Sequence, residues 1–181
     1  GSMSAIMGLE KDLIAEICSN VSISDDSHVQ CANLNSPNQT VISGHDDAVN
    51  RAQTLCSEKG AKRSIKLNVS IASHSKLMSK AAEEFEQSLK SVEFKMPNIK
   101  ILHNVSAETS KSLEDLNSLL VSQLYSPVRW VEICKYIHSM NLPIIECGPG
   151  KILSGLFKSN NLENYVSTSD EEFYEKINYH G

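Results

Sequence analysis

Residues 64–89 constrain the fold most, because a strand pattern passes directly into a helix pattern there. Apolar residues first alternate with polar or small ones, which is the period of a half-buried strand. The alternating residues are Ile65, Leu67, Val69 and Ile71. Apolar residues then recur at helical spacing from Leu77 to Leu89, which predicts an amphipathic helix. The stretch therefore predicts a strand-to-helix corner.

His74 lies at this corner, with Ser73 or Ser75 as the predicted helix N-cap. A titratable ring at the end of a strand occupies the place where α/β enzymes carry catalytic groups. The structural alternative is a capped histidine at the surface, near the beginning of a helix. Position alone leaves both interpretations open.

The composition excludes several classes of protein. The chain has 181 residues, 40% of them hydrophobic and 22% charged, as in a globular protein with a real core. A net charge of −5 argues against nucleic-acid binding. We expect no membrane span, because no apolar run approaches the roughly 20 residues that a spanning helix needs.

Five cysteines are spread through the chain without any C-x-x-C pair. They are Cys18, Cys31, Cys56, Cys134 and Cys147. An odd number at wide spacing is typical of reduced thiols in a cytoplasmic protein and predicts no metal site. We expect most of these thiols to be buried as small apolar groups.

Residues 3–70 predict the element order β-α-β-β-α-β. The predicted elements are strand 3–9, helix 10–19, strands 28–35 and 39–43 joined by the turn Ser36-Pro37-Asn38, a helix from Asp46 or Asp47, and strand 62–71. This order is the ferredoxin-like plan. The same plan serves many unrelated functions, so it does not identify one.

Residues 71–181 predict strands separated by helices, which is typical of a parallel sheet in an α/β layer. The predicted elements are strand 99–105, helix 113–125, a helix beginning at Pro127, strand 143–147, the turn Gly148-Pro149-Gly150, helix 151–158, strand 165–168 and a helix after Asp170. Three short strands make a poor independent sheet, so this half is expected to belong to a larger unit.

Five motifs occur in a characteristic order along the chain. They are NSPNQTVISG at 35–44, AKR at 61–63, Ser73-His74, QLYSPVRW at 123–130 and ECGPGK at 146–151. Together they resemble the bacterial malonyl-CoA:acyl carrier protein transacylases, and the resemblance runs from residue 3 to about residue 158. One departure is Ala72, which stands where that family usually has proline and so bears on acyl selectivity.

The resemblance implies both a fold and an activity. Residues 3–70 would be a ferredoxin-like subdomain, and residues 71–181 the C-terminal part of an α/β-hydrolase-like parallel-sheet subdomain. The activity would be that of fatty acid biosynthesis, in which malonyl passes from coenzyme A to a serine and then to the phosphopantetheine thiol of acyl carrier protein. No cofactor is implied, because the chemistry is acyl exchange between a hydroxyl and thiols.

The resemblance also assigns roles to residues. His74 would be the general base and acid, oriented by the backbone carbonyl of Gln123. The amides of Asn33, Asn35 and Gln39 would contact the acyl or pantetheine groups. The alternative for these three residues is that they fix a hairpin turn.

No G-x-S-x-G nucleophile elbow occurs in the sequence. The resemblance therefore implies that the serine lies in an N-terminal segment of the same enzyme, and that this chain is inactive alone. The alternative is a non-catalytic module that binds an acyl or pantetheine group. A thiol enzyme using Cys147 is a third, weaker interpretation.

Basic residues near His74 form either a partner surface or a solvated, salt-sensitive surface with no partner, and the sequence leaves both interpretations open. Acyl carrier proteins are acidic, so docking requires a local positive patch, for which Lys62 and Arg63 are the candidates. Further lysines nearby are Lys66, Lys76 and Lys80. An uncovered sheet edge would also permit dimerisation.

Overall fold

Residues 1–178 are described by the computed structural model and fall into two units, Gly1–Trp130 and Val131–Gly181. The predicted domains, 3–70 and 71–181, place a boundary inside the first unit, and that boundary remains a prediction. Residues 179–181 of the predicted second domain lie outside the described residues. None of the described helices is long and apolar enough to cross a membrane.

A four-stranded sheet organises the first unit. Its strands are β1 (Ser2–Met7), β2 (Val29–Ser36), β3 (Gln39–Gly44) and β4 (Arg63–Lys66), in the order β2-β3-β1-β4 with every neighbouring pair antiparallel. Helix α1 (Lys11–Val21) connects β1 to β2, and α2 (Asp46–Glu58) connects β3 to β4. The first six elements therefore follow the predicted order.

The two faces of this sheet carry different cores. Ile6, Ile14 and Ile42 are fully buried in the larger cluster, which the two helices close. Burying one such side chain is worth roughly 1.5–3 kcal/mol, so this face dominates the stability of the unit. The opposite face holds a smaller cluster of Met3, Ala5, Ala32 and Val41, with Leu67 packed against it.

Strand β4 ends at Lys66, so the prediction of a strand through Ile71 is wrong over residues 67–71. The backbone N–H of Leu67 still donates to the carbonyl of Met3 at 2.9 Å, but the N–H of Val69 donates to the carbonyl of Leu67 at 3.0 Å and not to β1. Alternating apolar residues without a partner strand do not form a ladder. Val69 and Ile71 are accordingly about half exposed.

The segment after His74 begins its helix through a short 3₁₀ turn, Lys76–Met78, before α3 (Ser79–Leu89). Ser75 is the N-cap, as one of the two predictions had it, and its hydroxyl accepts from the backbone N–H of Leu77 at 3.4 Å. Of the predicted apolar face of α3, only Ala82 is buried.

The predicted strand 99–105 is absent, and an isolated bridge between Leu102 and Thr109 is all that forms in this stretch. Ile99 is 80% exposed and Ile101 47%. These residues have strand-like composition, but no strand among residues 1–178 lies beside them to accept the pairing. β-Propensity alone does not make a strand without such a neighbour.

Helix α4 (Leu113–Ser122) is followed by a segment that covers the edge of the sheet. The N–H of Leu34 donates to the carbonyl of Val128 at 2.9 Å, and the N–H of Val128 donates to Ala32 at 2.8 Å. Because Val128 pairs with β2, the next helix, α5 (Trp130–Met140), begins later than the predicted Pro127.

The second unit contains a two-stranded parallel sheet. Strands β5 (Ile144–Glu146) and β6 (Tyr165–Ser167) pair in register from Ile144 opposite Tyr165. Helix α6 (Ile152–Ser159) connects them, and α7 (Phe173–Asn178) follows β6. The prediction of parallel strands separated by helices is confirmed for this pair.

Candidate active site

His74 lies between β4 and the 3₁₀ turn, in the left-handed backbone region with a φ of 57°. Non-glycine residues rarely adopt this conformation, because Cβ approaches the following carbonyl. It therefore needs support from neighbouring groups. The backbone N–H of His74 donates to the carbonyl oxygen of Leu124 at 3.0 Å.

The imidazole ring is fixed by a second bond to the same segment. His74 Nδ1 lies 2.7 Å from the carbonyl oxygen of Gln123. A carbonyl oxygen can only accept, so Nδ1 carries the proton and the neutral ring presents the lone pair at Nε2. This is the tautomer that a general base needs when the other nitrogen faces the substrate.

These acceptors lie just after helix α4, where the carbonyls of Gln123 and Leu124 have no partner within the helix. Ser112 begins the helix, with its hydroxyl accepting from the N–H of Asp115 at 3.1 Å. Gln123 is the C-cap residue.

Gln123 also lines a cavity of about 350 Å³ together with Leu102, His103 and Leu120. Its bond to the His74 ring uses the main-chain carbonyl, so the bond does not depend on the identity of the side chain.

Three predicted amides lie on the β2–β3 hairpin. Asn35 Nδ2 donates to Gln39 Oε1 at 3.4 Å, across the turn that connects the two strands. Asn33 lies in β2 beside Val128, with which it forms a backbone bridge. All three residues are partly buried, and the bond between Asn35 and Gln39 is the kind that fixes a hairpin.

The predicted docking residues lie at the other edge of the sheet. Lys62 precedes β4 and its backbone N–H donates to the carbonyl of Met7 at 2.8 Å, while Arg63 begins the strand. Both side chains are exposed, and neither forms an ion pair within residues 1–178. Lys66, in contrast, is 2.7 Å from Asp46, so its charge is partly balanced.

Ser75 is excluded as a nucleophile by its contacts. It is fully buried, and its hydroxyl donates to the carbonyl of Ala72 at 2.7 Å while it caps the 3₁₀ turn. Buried thiols are equally unsuitable, since burial raises the pKa of Cys56 and of Cys134 to about 11. Cys147 is exposed, in the segment after β5.

Glu146 closes the N-terminus of α6 in the second unit. Its carboxylate accepts from the N–H of Leu153 at 2.9 Å, and from both the N–H and the hydroxyl of Ser154 at 2.8 and 2.6 Å. Burial works to raise the pKa of Glu146, but these three hydrogen bonds outweigh it and lower the pKa below its usual range. An anion site at this helix terminus is therefore already filled by the protein's own carboxylate.

Gln30 makes four hydrogen bonds around His74 that sequence patterns did not predict. Its Nε2 donates to the carbonyls of His74 and Tyr125, each at 3.1 Å. Its Oε1 accepts from the N–H of Lys76 at 3.3 Å and lies 3.1 Å from His28 Nε2. A polar side chain inside a predicted strand was the only signal in the sequence.

Metal ligation is not indicated anywhere in residues 1–178, where no group of three or more His, Cys, Asp or Glu side chains is arranged to hold an ion. The site consists of one imidazole with its carbonyl acceptors and the surrounding amides. Such a site can move a proton and form hydrogen bonds.

Comparison with known proteins identifies the family to which this α/β chain belongs. The chain is a member of the acyl transferase domain family, whose model matches residues 6–155.

Relatives within that family are more specific. The chain is 42% identical over 159 residues to the malonyl CoA-acyl carrier protein transacylase of Haemophilus influenzae, covering 87% of this chain and 50% of the relative. The structure of the transacylase of that name from Coxiella burnetii superposes with a TM-score of 0.92 at 36% identity, covering 97% of this chain and 56% of the other.

A second similar structure includes a partner. It is a malonyl-transacylase in complex with a type II PKS acyl-carrier protein, with a TM-score of 0.86, 34% identity, and coverage of 97% of this chain and 56% of the other. The chain spans about half the length of the curated relatives it matches.

Proposed function

We propose that this chain is the C-terminal part of a malonyl-CoA:acyl carrier protein transacylase of cytoplasmic fatty acid biosynthesis. The observation that carries the proposal is the 2.7 Å contact between His74 Nδ1 and the carbonyl of Gln123, in a chain of the acyl transferase domain family. Substrate and partner come from the names of the relatives. The catalytic residues would be His74 and Gln123.

In the proposed reaction, His74 Nε2 takes the proton of a serine hydroxyl as the serine oxygen forms a bond to the malonyl carbonyl carbon. The bond between that carbon and the coenzyme A sulfur breaks, and the imidazolium returns the proton to the departing thiolate. The second half runs in reverse, with the carrier's phosphopantetheine thiol attacking the ester. The bond at Nδ1 holds the ring in the required tautomer throughout.

The serine would come from a part of the enzyme outside this chain, since no G-x-S-x-G occurs in the sequence. Exposed apolar side chains in the first unit support a covering segment: Ile65, Val69, Ile71, Ile99 and Ile101 are 45–80% exposed. The same exposed edge at β4 would let the isolated chain dimerise. We therefore propose that the chain alone is inactive.

The finer architecture is part of this proposal. The order β2-β3-β1-β4 with helices between β1 and β2 and between β3 and β4 supports a ferredoxin-like subdomain over residues 3–70. The parallel pair β5–β6 supports an α/β-hydrolase-like subdomain over residues 71–181.

Substrate contacts are proposed for Asn33, Asn35 and Gln39, and carrier docking for Lys62 and Arg63. The amides offer hydrogen bonds without charge, which suits a pantetheine or acyl group. The exposed cations suit an acidic carrier.

The test is a fusion of the remaining N-terminal half of the Haemophilus influenzae relative to this chain. We expect the fusion to transfer malonyl, and H74A to slow transfer roughly 100-fold or more, as loss of a general base does. The control is H138A, which removes an exposed histidine of α5. An H74A fusion as fast as H138A would contradict the proposed base.

A non-catalytic module that binds an acyl or pantetheine group is the second candidate, favoured by the missing nucleophile elbow. It predicts that the chain alone binds pantetheine and that the fusion stays inactive while folded. Transfer by the fusion would exclude it.

A further inference from the structure

We propose that Gln30 is a positioning residue for His74, one that fixes the backbone of the histidine against the end of α4. The importance of that position for catalysis rests on the proposed function. The hydrogen-bond network itself is a property of this chain.

Gln30 reaches two carbonyls that are remote in sequence. Its Nε2 donates to His74 O, 44 residues away, and to Tyr125 O, 95 residues away. Both are carbonyl oxygens, which can only accept, so the amide nitrogen must face them. One side-chain amide thus joins strand β2 to the His74 loop and to the segment after α4.

The oxygen of the same amide is also engaged. It accepts from the N–H of Lys76 at 3.3 Å, and Lys76 begins the 3₁₀ turn, where backbone N–H groups lack helical partners. His28 Nε2 lies 3.1 Å from this oxygen on the other side. With both ends of the amide bonded, the Gln30 side chain has one orientation.

His74 completes a closed network. Three successive carbonyls after α4 each accept a bond: Gln123 from the imidazole, Leu124 from the N–H of His74, and Tyr125 from Gln30. The peptide groups on both sides of His74 are therefore held, the N–H by Leu124 and the carbonyl by Gln30. This support fixes the left-handed φ of 57° that aims the ring at Gln123.

The chemical consequence concerns the tautomer of the ring. If Gln30 lets the His74 backbone relax, Nδ1 moves away from Gln123 O and the preference for a proton on Nδ1 weakens. A purely structural role for Gln30 would change stability and leave the tautomer alone. The tautomer is therefore the diagnostic readout.

The experiment is ¹⁵N imidazole NMR on the full chain without any substrate, comparing wild type with Q30M. Methionine is similar in length and unbranched but forms none of the four hydrogen bonds. We expect the ratio of Nδ1–H to Nε2–H tautomer at His74 to fall roughly three- to tenfold, the range of one hydrogen bond. A wild-type ratio in folded Q30M would overturn the proposal.

A control variant accompanies the measurement. Q87M removes an exposed glutamine of α3 that accepts from Lys90 Nζ, and it should leave the His74 ratio unchanged. A fall of similar size in Q87M would count against a specific role for Gln30.

Wild-type protein offers a second test, which holds even if Q30M does not fold. The Nε2 protons of Gln30 face two protein carbonyls, so they should exchange with water at least about tenfold more slowly than those of exposed Gln87. Equal exchange rates would overturn the network. Neither measurement uses malonyl-CoA, so a failure of this inference and a failure of the proposed function are separate results.

Discussion

The left-handed backbone of His74 makes a quantitative prediction for two substitutions at one site. H74A removes the ring bond to Gln123 but keeps a Cβ at a φ of 57°. H74G removes the same bond and also the Cβ. The difference in the free energy of unfolding between H74G and H74A therefore reports the effect of the Cβ on the backbone at this position.

The magnitudes follow from three contributions. Loss of the 2.7 Å bond destabilises both variants by about 0.5–1.5 kcal/mol, since the half-buried site lets water reach the freed carbonyl. Relief of the left-handed conformation favours glycine by roughly 1–2 kcal/mol. The greater freedom of glycine in the unfolded chain removes about 0.4–1 kcal/mol of that gain. Taking the middle of each range, H74G should thus be about 0.8 kcal/mol more stable than H74A.

The assay is urea unfolding of the chain, followed by the fluorescence of Trp130, its only tryptophan. Two alanine-to-glycine controls bracket the effect. Ala107 has a φ of 55°, so A107G should remain within about 0.5 kcal/mol of wild type, as lost methyl burial offsets the backbone gain. Ala81 lies exposed inside α3, so A81G should lose about 1 kcal/mol. An H74A variant as stable as H74G, or more stable, would show that the left-handed backbone at position 74 has no cost for a residue with a Cβ.

Three further predictions concern charge. The hydroxyl of Ser27 and the guanidinium of Arg51 hold the pKa of Asp47 at about 2. The ionised Asp47 therefore stabilises the folded chain above pH 3.8, and this stabilisation is lost as the pH falls through 2. Unfolding midpoints measured between about pH 5 and 2 should decline more steeply in wild type than in D47N. E146L leaves the first N–H groups of α6 unbonded. The free energy of unfolding, measured by urea titration, should fall by about 1–2 kcal/mol. An unchanged midpoint would contradict the capping role. Reversing both charges at Lys62 and Arg63 in the active fusion should slow malonyl transfer to the carrier several-fold and leave the rate of malonyl loading unchanged. Equal slowing of both steps would argue against docking of the carrier at these two residues.

Local patterns were sufficient for the first six elements. Apolar alternation predicted the order of strands and helices through β4, and capping signals predicted Ser75 as one of two N-caps. Apolar alternation and helix capping both depend on residues that are neighbours in sequence. The same patterns failed where a partner strand was needed. Among the described residues, Leu67 keeps one bond to Met3 but residues 68–71 form no ladder, and residues 99–105 form only the isolated bridge of Leu102 with Thr109.

The site was predictable only in part, for a similar reason. His74 was marked by its place at the strand-to-helix corner, and the carbonyl of Gln123 by resemblance to a family. Gln30 carried no comparable signal, because its bonds to His74 and Tyr125 join residues 44 and 95 positions apart. Contacts between distant side chains and main-chain carbonyls leave no periodicity in a sequence.

Intact mass spectrometry after incubation with malonyl-CoA determines whether this chain carries its own nucleophile. It is run on this chain alone and on the fusion with the N-terminal half of the Haemophilus influenzae relative. We expect no covalent malonyl on the chain alone, and one malonyl group on the fusion, attached to a serine outside this chain. A stoichiometric malonyl adduct on the chain alone would contradict the proposed function of His74 as the base for a serine elsewhere, because the chain would then contain its own nucleophile.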